Sequence, residues 1–122
     1  MAKQTKLLHA RWSEVALETL NSRIQRHFVV GDQLMLARIL LKKGAEVPLH
    51  SHANEQVTWV TEGALEFQID GRTVVVRAGE VLCIPPHMPH AAHALEDTVD
   101  IDIFTPPRQD WIDKNDAYLR GK

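Results

Sequence analysis

The sequence contains one cysteine, Cys83, so no disulfide can form within the chain. Its Val-Leu-Cys-Ile setting reads as a buried small hydrophobe rather than a reactive thiol. No stretch approaches the ~20 apolar residues of a membrane span. The start, MAKQTKLLHARW, lacks the apolar run of a secretory signal, which makes the cytoplasm the expected address and a membrane partner unexpected. An excess of one charge is missing too. Lys and Arg number 14 against 16 Asp and Glu, mixed along the chain, for a net charge of -2. That excludes the basic face a nucleic-acid partner requires. There is no internal repeat and no low-complexity linker. At 122 residues, 44% of them hydrophobic, the chain suits one domain and is too short for two. A domain of this size buries roughly two-thirds of its unfolded surface.

What is present is β-like from Arg23 onward: short apolar runs separated by glycine, proline and Asp-Gly. Residues 23–30 alternate and end at Gly31-Asp32, and residues 33–41 form a stronger apolar run closed by Lys42-Lys43-Gly44. Leu65, Phe67 and Ile69 alternate with polar residues, and Asp70-Gly71 offers a tight hairpin turn into residues 73–77. Residues 81–84 and 98–104 complete the set. Evenly spaced short strands predict an all-β sandwich or barrel. Residues 13–20 predict a short helix capped by Ser13. The expected division is an N-terminal segment (1–22), a barrel (23–107) and a C-terminal arm (108–122). In the arm, Trp111, Ile112, Tyr118 and Leu119 are expected to anchor against the barrel or a partner subunit.

The chemistry concentrates in GAEVPLHSHANEQVTWVTEG, residues 44–63. Residues at i and i+2 of a strand share a face, so His50 and His52 aim two imidazoles at one point. His90, in GEVLCIPPHMPH, supplies a third, and Gln56 an amide oxygen. Three imidazoles and an amide suit a divalent transition metal rather than magnesium or calcium. Nickel, zinc, iron, manganese and cobalt all satisfy that donor set. In residues 98–104, Asp100, Asp102 and Phe104 share one face, and Val99, Ile101 and Ile103 the other. Asp100 reads as water-facing. Asp102 and Phe104 read as bordering the metal cavity, since the ring would be costly to leave in water. Arg108, after the rigid Pro106-Pro107, can present its fork to a substrate carboxylate. His87 and His93 flank His90 either at the pocket mouth or in solvent. His9 and His27 read as structural, Trp59 and Met35 as core, and nothing singles out Arg23 or Arg26 for a substrate acid.

These two segments resemble the paired motifs of the cupins, small metal-binding β-barrels. Gly44, His50, His52 and Gly63 fit the first motif, with Gln56 where a glutamate normally stands. Gly79, Pro85 and His90 fit the second, with His87 in place of a glycine and Ala94 in place of an asparagine. The resemblance implies an all-β, single-domain cupin: a double-stranded β-helix, or jelly-roll barrel. Gln56, together with the later run Asp102-Ile103-Phe104-Thr105-Pro106-Pro107-Arg108, is similar to the pectin-degradation cupins called KdgF.

That resemblance implies a metal-dependent enzyme converting a cyclic 4,5-unsaturated uronate, from pectin or alginate breakdown, into its linear keto form. It places Asp102 and Arg108 as catalytic residues and Phe104 and Arg108 as substrate-binding residues. His50, His52, Gln56 and His90 would hold one divalent transition metal. The expected ligand is a small anionic sugar derivative, and the expected assembly a homodimer, since exposed sheet edges in small barrels are often covered by a partner. An iron-dependent dioxygenase and a non-catalytic ligand sensor are the competing readings of the same three-histidine site.

Overall fold

A computed structural model of the chain describes residues 6–120. Ten strands form two antiparallel sheets. They are β1 (Glu18–Asn21), β2 (Ile24–Val30), β3 (Met35–Leu41), β4 (Glu46–His50), β5 (Glu55–Glu62), β6 (Ala64–Ile69), β7 (Arg72–Arg77), β8 (Val81–Ile84), β9 (His90–Ala94) and β10 (Thr98–Thr105). The larger sheet runs β1-β2-β3-β10-β5-β8 and the smaller β4-β9-β6-β7. The apolar core, including Ile24, Met35, Leu41, Val60, Leu65, Phe67, Ile84 and Phe104, lies between them.

Strand register places the site. Arg26 pairs with Ile39, and Ile39 with Asp100; Asp100 pairs with Val60. One step along, Phe28, Ala37, Asp102, Thr58 and Leu82 form the next inward row. Then come Val30, Met35, Phe104, Gln56 and Ile84. Directly paired residues share a face, so the rows point to the same interior, except that Val30, at the end of β2, stays exposed. The glycines of both motifs have a backbone reason. Gly44, Gly63 and Gly79 sit at φ +87°, +87° and +88°, a region that costs a residue with a Cβ. At Gly63 a Cβ would also stand 2.3 Å from the Asp97 carbonyl oxygen.

Several sequence expectations are corrected. Residues 13–20 are not a helix: a single 3-10 turn, Trp12–Glu14, leads into β1. Glu18, Thr19 and Asn21 take up hairpin pairing with β2, and joining the sheet outweighs the weak helix propensity of an eight-residue segment. The larger sheet therefore begins before residue 23. Cys83 and Trp59 face outward, Trp59 46% exposed. Both have the outward parity of β5 and β8, where Val57 pairs with Cys83 and Trp59 with Val81, while Gln56, Thr58 and Ile84 point in. Asp100 is buried rather than water-facing. It shares the parity of Asp102 and Phe104, so β10 turns its acids inward and Val99, Ile101 and Ile103 outward.

The arm, with helix α1 (Gln109–Ile112) and a 3-10 turn at Ala117–Leu119, packs against the core and meets β1, β2, β4 and β10. Trp111 and Leu119 are buried and Tyr118 is packed against the core, whereas Ile112 remains 38% exposed. Ion pairs from Lys114 and Arg120 to Glu18, and from Asp116 to Arg26, tie the arm to β1 and β2. Burial would raise the Glu18 carboxyl, but hydrogen bonds from Lys114, Arg120 and Arg26 outweigh it and hold the group at about 2.

Candidate metal and substrate site

His50 ends β4 and His90 opens β9, where they are register partners. His52 stands in the loop between β4 and β5, and the ligand nitrogens of all three lie within 4.8 Å of one another. Each ring is oriented by a backbone carbonyl: His50 Nδ1 on Pro48 O (2.7 Å), His52 Nδ1 on Asn54 O (3.0 Å), His90 Nδ1 on Met88 O (2.8 Å). A carbonyl only accepts, so each Nδ1 carries the proton and each Nε2 offers a lone pair. His90 Nε2 is buried with no hydrogen-bond partner. Burial pulls His50 and His52 down to about 4, and His90 down as well, so all three are neutral near pH 7. For His52 the Arg108 charge is the next contribution in the same direction.

Gln56 Oε1 lies 3.1 Å from His52 Nε2. With Nδ1 protonated, that contact brings two acceptors together, an arrangement that a shared cation relieves. The amide orientation follows from the far side. Gln56 Nε2 donates to Thr58 Oγ1 (2.9 Å), whose hydroxyl donates to Asp102 Oδ1 (2.7 Å). The donor set therefore fits a divalent transition metal on this geometry: three converging imidazole nitrogens and an amide oxygen.

Asp102 and Asp100 are both buried and hydrogen-bonded to each other. Burial raises both carboxyls, and for Asp100 the Asp102 charge adds to the rise. For Asp102, hydrogen bonds from Asp100 and Thr58 and the Arg108 charge pull partly the other way. Arg108 is buried, not a solvated tail residue. Its Nε and Nη2 grip the Asp110 carboxylate at 2.9 and 2.8 Å, and Nη2 also donates to Tyr118 Oη at 2.8 Å. Burial would lower its pKa, but Asp110 and Tyr118 outweigh that and raise it. Asn54 Nδ2 donates to the Pro106 and Pro107 carbonyls and so fixes the approach to Arg108.

His50, Gln56, His90, Asp100, Asp102 and Arg108 line one cavity. It has about 50 Å³ of room for the centres of water-sized molecules. Phe104 forms part of its wall and meets His52 edge-on, with ring centres 5.8 Å apart. Three lining or linking residues were not singled out from sequence. Thr58 acts through cross-strand register, which no local pattern reveals. Tyr118, whose ring centre lies 4.7 Å from that of His50, comes from the arm. Arg26 reaches the cavity from β2. His87 is exposed at φ +67°, the left-handed conformation that explains a glycine at this motif position. His93 meets Glu46 at the surface (3.0 Å). His27 is held between Val15 O and Arg38 beneath Trp12, while His9 is exposed.

An antiparallel β-sandwich with a three-histidine cluster, compatible with a metal, at one end of its interior defines a fold of the cupin class. The cupin domain model matches residues 37–104, and the chain belongs to that family. It is 29% identical over 102 residues to the "Pectin degradation protein KdgF" of Dickeya dadantii, covering 81% of this chain and 93% of that protein. A Bacillus subtilis "H2HPP isomerase" is 33% identical over 78 residues, 62% of this chain but only 33% of that protein. Among solved structures, KdgF from Halomonas sp. superposes with a TM-score of 0.78 at 30% identity, covering 83% of this chain and 96% of that one. An RmlC-like cupin from Shewanella frigidimarina gives 0.82 at 30% identity, with 89% and 99% covered.

Proposed function

We propose that this chain is a metal-dependent enzyme that opens and ketonises a small 4,5-unsaturated uronate. The observation that carries the reading is the line that starts at the His52–Gln56 contact and runs by hydrogen bonds from Gln56 through Thr58 to Asp102, in one cavity with Arg108. It joins a transition-metal donor set to a buried acid and an arginine, the groups a sugar acid needs. Similarity to the two KdgF proteins supports the substrate class.

Arg108 binds the substrate carboxylate through Nη1, with Asp110 and Tyr118 holding Nε and Nη2 and so fixing the guanidinium plane. Phe104 packs the sugar and keeps water from the reacting atoms. Asp102, within reach of Asp100, takes the proton of the anomeric hydroxyl as the ring C–O bond breaks. The electron pair passes to the ring oxygen, leaving an enolate at C5 and an aldehyde at C1. Asp102 then returns the proton to C4, and the enolate becomes a ketone with no net proton consumed. A divalent metal on His50, His52, Gln56 and His90 supplies Lewis-acid polarisation of a substrate oxygen.

The test is loss of the unsaturated-uronate absorbance with metal-loaded protein. Wild type is expected to exceed the spontaneous rate. Asp102→Asn and Arg108→Ala are expected to fall at least a hundredfold while keeping their metal. Wild-type turnover in both variants would sink the reading. Oxygen uptake by iron-loaded protein would replace it with a dioxygenase. A homodimer belongs to the same proposal. The aliphatic face of β10 looks outward beside Trp59 and Val81, and edge strand β8 is unpaired on one side among the described residues. Sedimentation at a monomer mass would remove it.

A further inference from the structure

Arg26 is fully buried on β2, lines the cavity, and is only partly satisfied. Its Nε meets Glu18 at 3.1 Å, and its Nη1 lies 2.6 Å from Asp116 Oδ2. That second contact is an ion pair without hydrogen-bond alignment, because both atoms remain without a hydrogen-bond partner. Nη2 has no partner of any kind among the described residues. The guanidinium is clamped over Trp111, 4.2 Å from the ring centre, and Arg108 approaches the same indole at 4.8 Å. Trp111 and both arginines line the same cavity. On β10, Asp100 reaches the same cavity from the same register row, and its Oδ1 is likewise buried and unpartnered. Burying a donor and an acceptor unmatched is costly, so a pair of them facing one cavity marks a place for a ligand group.

We propose that Arg26 Nη2 and Asp100 Oδ1 form a distal subsite that recognises a hydroxyl group of the substrate, remote from the histidine cluster. The unmatched pair decides the chemistry of that group. Glu18 and Asp116 divide their charge among Arg26, Lys114 and Arg120, so Asp100 makes the choice: an anion accepts from Nη2 but has no hydrogen to donate to Oδ1. A neutral hydroxyl accepts from Nη2 and donates to Oδ1, using both unmatched atoms at once. Distance decides the length of the ligand. The Arg26 row lies four residues from the Gln56 row, ~13 Å along the strands at ~3.3 Å per residue, and the Arg26 side chain spans part of that. The rest suits an open polyhydroxy chain. Room for solvent centres is about 50 Å³, and one water needs ~10–15 Å³, so the enclosed part accepts the chain end that ring opening releases rather than the ring itself.

This inference rests on the histidine cluster being the sugar-acid site, and its test separates the two. Calorimetry on Ni²⁺-loaded protein compares galactonate, a linear six-carbon hydroxy acid, with glycolate. Both carry a carboxylate beside a hydroxyl, but glycolate is too short to reach Arg26. Arg26→Lys keeps the charge facing Glu18 and Asp116 and deletes the Nη2 donor. Asp100→Val spares those ion pairs and deletes the acceptor together with the hydrogen bond to Asp102, a second effect that glycolate, too short for Arg26, reads separately. Each is expected to weaken galactonate about tenfold and glycolate less than twofold. Unchanged galactonate affinity in folded variants overturns the subsite. So does parallel weakening of both acids, which would mark a structural role. If neither acid binds wild type, or if binding survives His50→Ala, the sugar-acid reading of the cluster itself fails and the subsite with it. Asp100→Val decides alone if Arg26→Lys does not fold.

Discussion

Thr58 carries more of the site than its size suggests. Its hydroxyl accepts from the Gln56 amide and donates to Asp102, so one oxygen fixes the orientation of the Gln56 side chain and one lone pair of the Asp102 carboxylate. The side chain is fully buried, so no solvent replaces those bonds. Thr58→Val keeps the volume and strands Gln56 Nε2 and Asp102 Oδ1. The expected cost is about 1–3 kcal/mol in urea unfolding. With Asp102 no longer held, kcat is expected to fall about tenfold or more while KM changes little, and Thr58→Ser should restore both. Equal activity of the valine variant would show that the line from Gln56 to Asp102 does not matter to turnover.

At the level of elements, turns and the arm follow different physics. Gly63 closes β5 into β6 at φ +87°, where a Cβ would meet the Asp97 carbonyl at 2.3 Å and Thr98 Oγ1 at 2.5 Å. Gly71, at φ +71° in the β6–β7 hairpin, has nothing within 4 Å. Gly71→Ala should therefore cost only the left-handed penalty, about 1–2 kcal/mol. Gly63→Ala must also displace backbone, and its urea midpoint should fall clearly below that of Gly71→Ala. In the arm, Asp116→Ala leaves the fully buried Arg26 guanidinium short of a counter-charge and should cost about 3–5 kcal/mol. Lys114→Ala, at an exposed pair with Glu18, should cost under about 1 kcal/mol. Equal unfolding midpoints for these two variants would contradict the buried role of Asp116.

The element scale also shows what sequence can reveal. Gly44, Gly63 and Gly79 mark backbone conformations, a local property that spacing encodes. His50, His52 and His90 converge as their spacing predicts, although His52 stands in the loop after β4 rather than on its face. The burial of Asp100 was derivable from its parity with Phe104, but its polarity argued for water and misled. Thr58, Tyr118 and Arg26 were out of reach for another reason. Their roles arise from register across β2, β3, β10 and β5, and from an arm whose Arg120 meets Glu18, 102 positions away.

Over the whole molecule these local choices set the response to acid. Burial holds His50 and His52 at about 4, below the ~6.5 of an unfolded chain. A depressed histidine favours the fold above its unfolded pKa, and that contribution is lost as pH falls through the window from ~6.5 to about 4. Glu18, held at about 2 by Lys114, Arg120 and Arg26, loses its contribution lower, between its ordinary value of 4.5 and about 2. Both effects have the same sign, so the unfolding temperature should fall in two stages: first from pH 6.5 towards 4, then again below 4.5. The first stage should shrink in His50→Ala and the second in Glu18→Gln. Metal adds a marker for the first stage. Imidazole binds metal only when neutral, and here it stays neutral further into acid than a free histidine. Protein loaded with Ni²⁺ and dialysed at a series of pH values should keep its metal at about pH 6 and release it by about pH 4. Release already complete at pH 6 would mean that the three imidazoles are not desolvated as the fold places them. Retention well below pH 4 would mean that they are not the ligands.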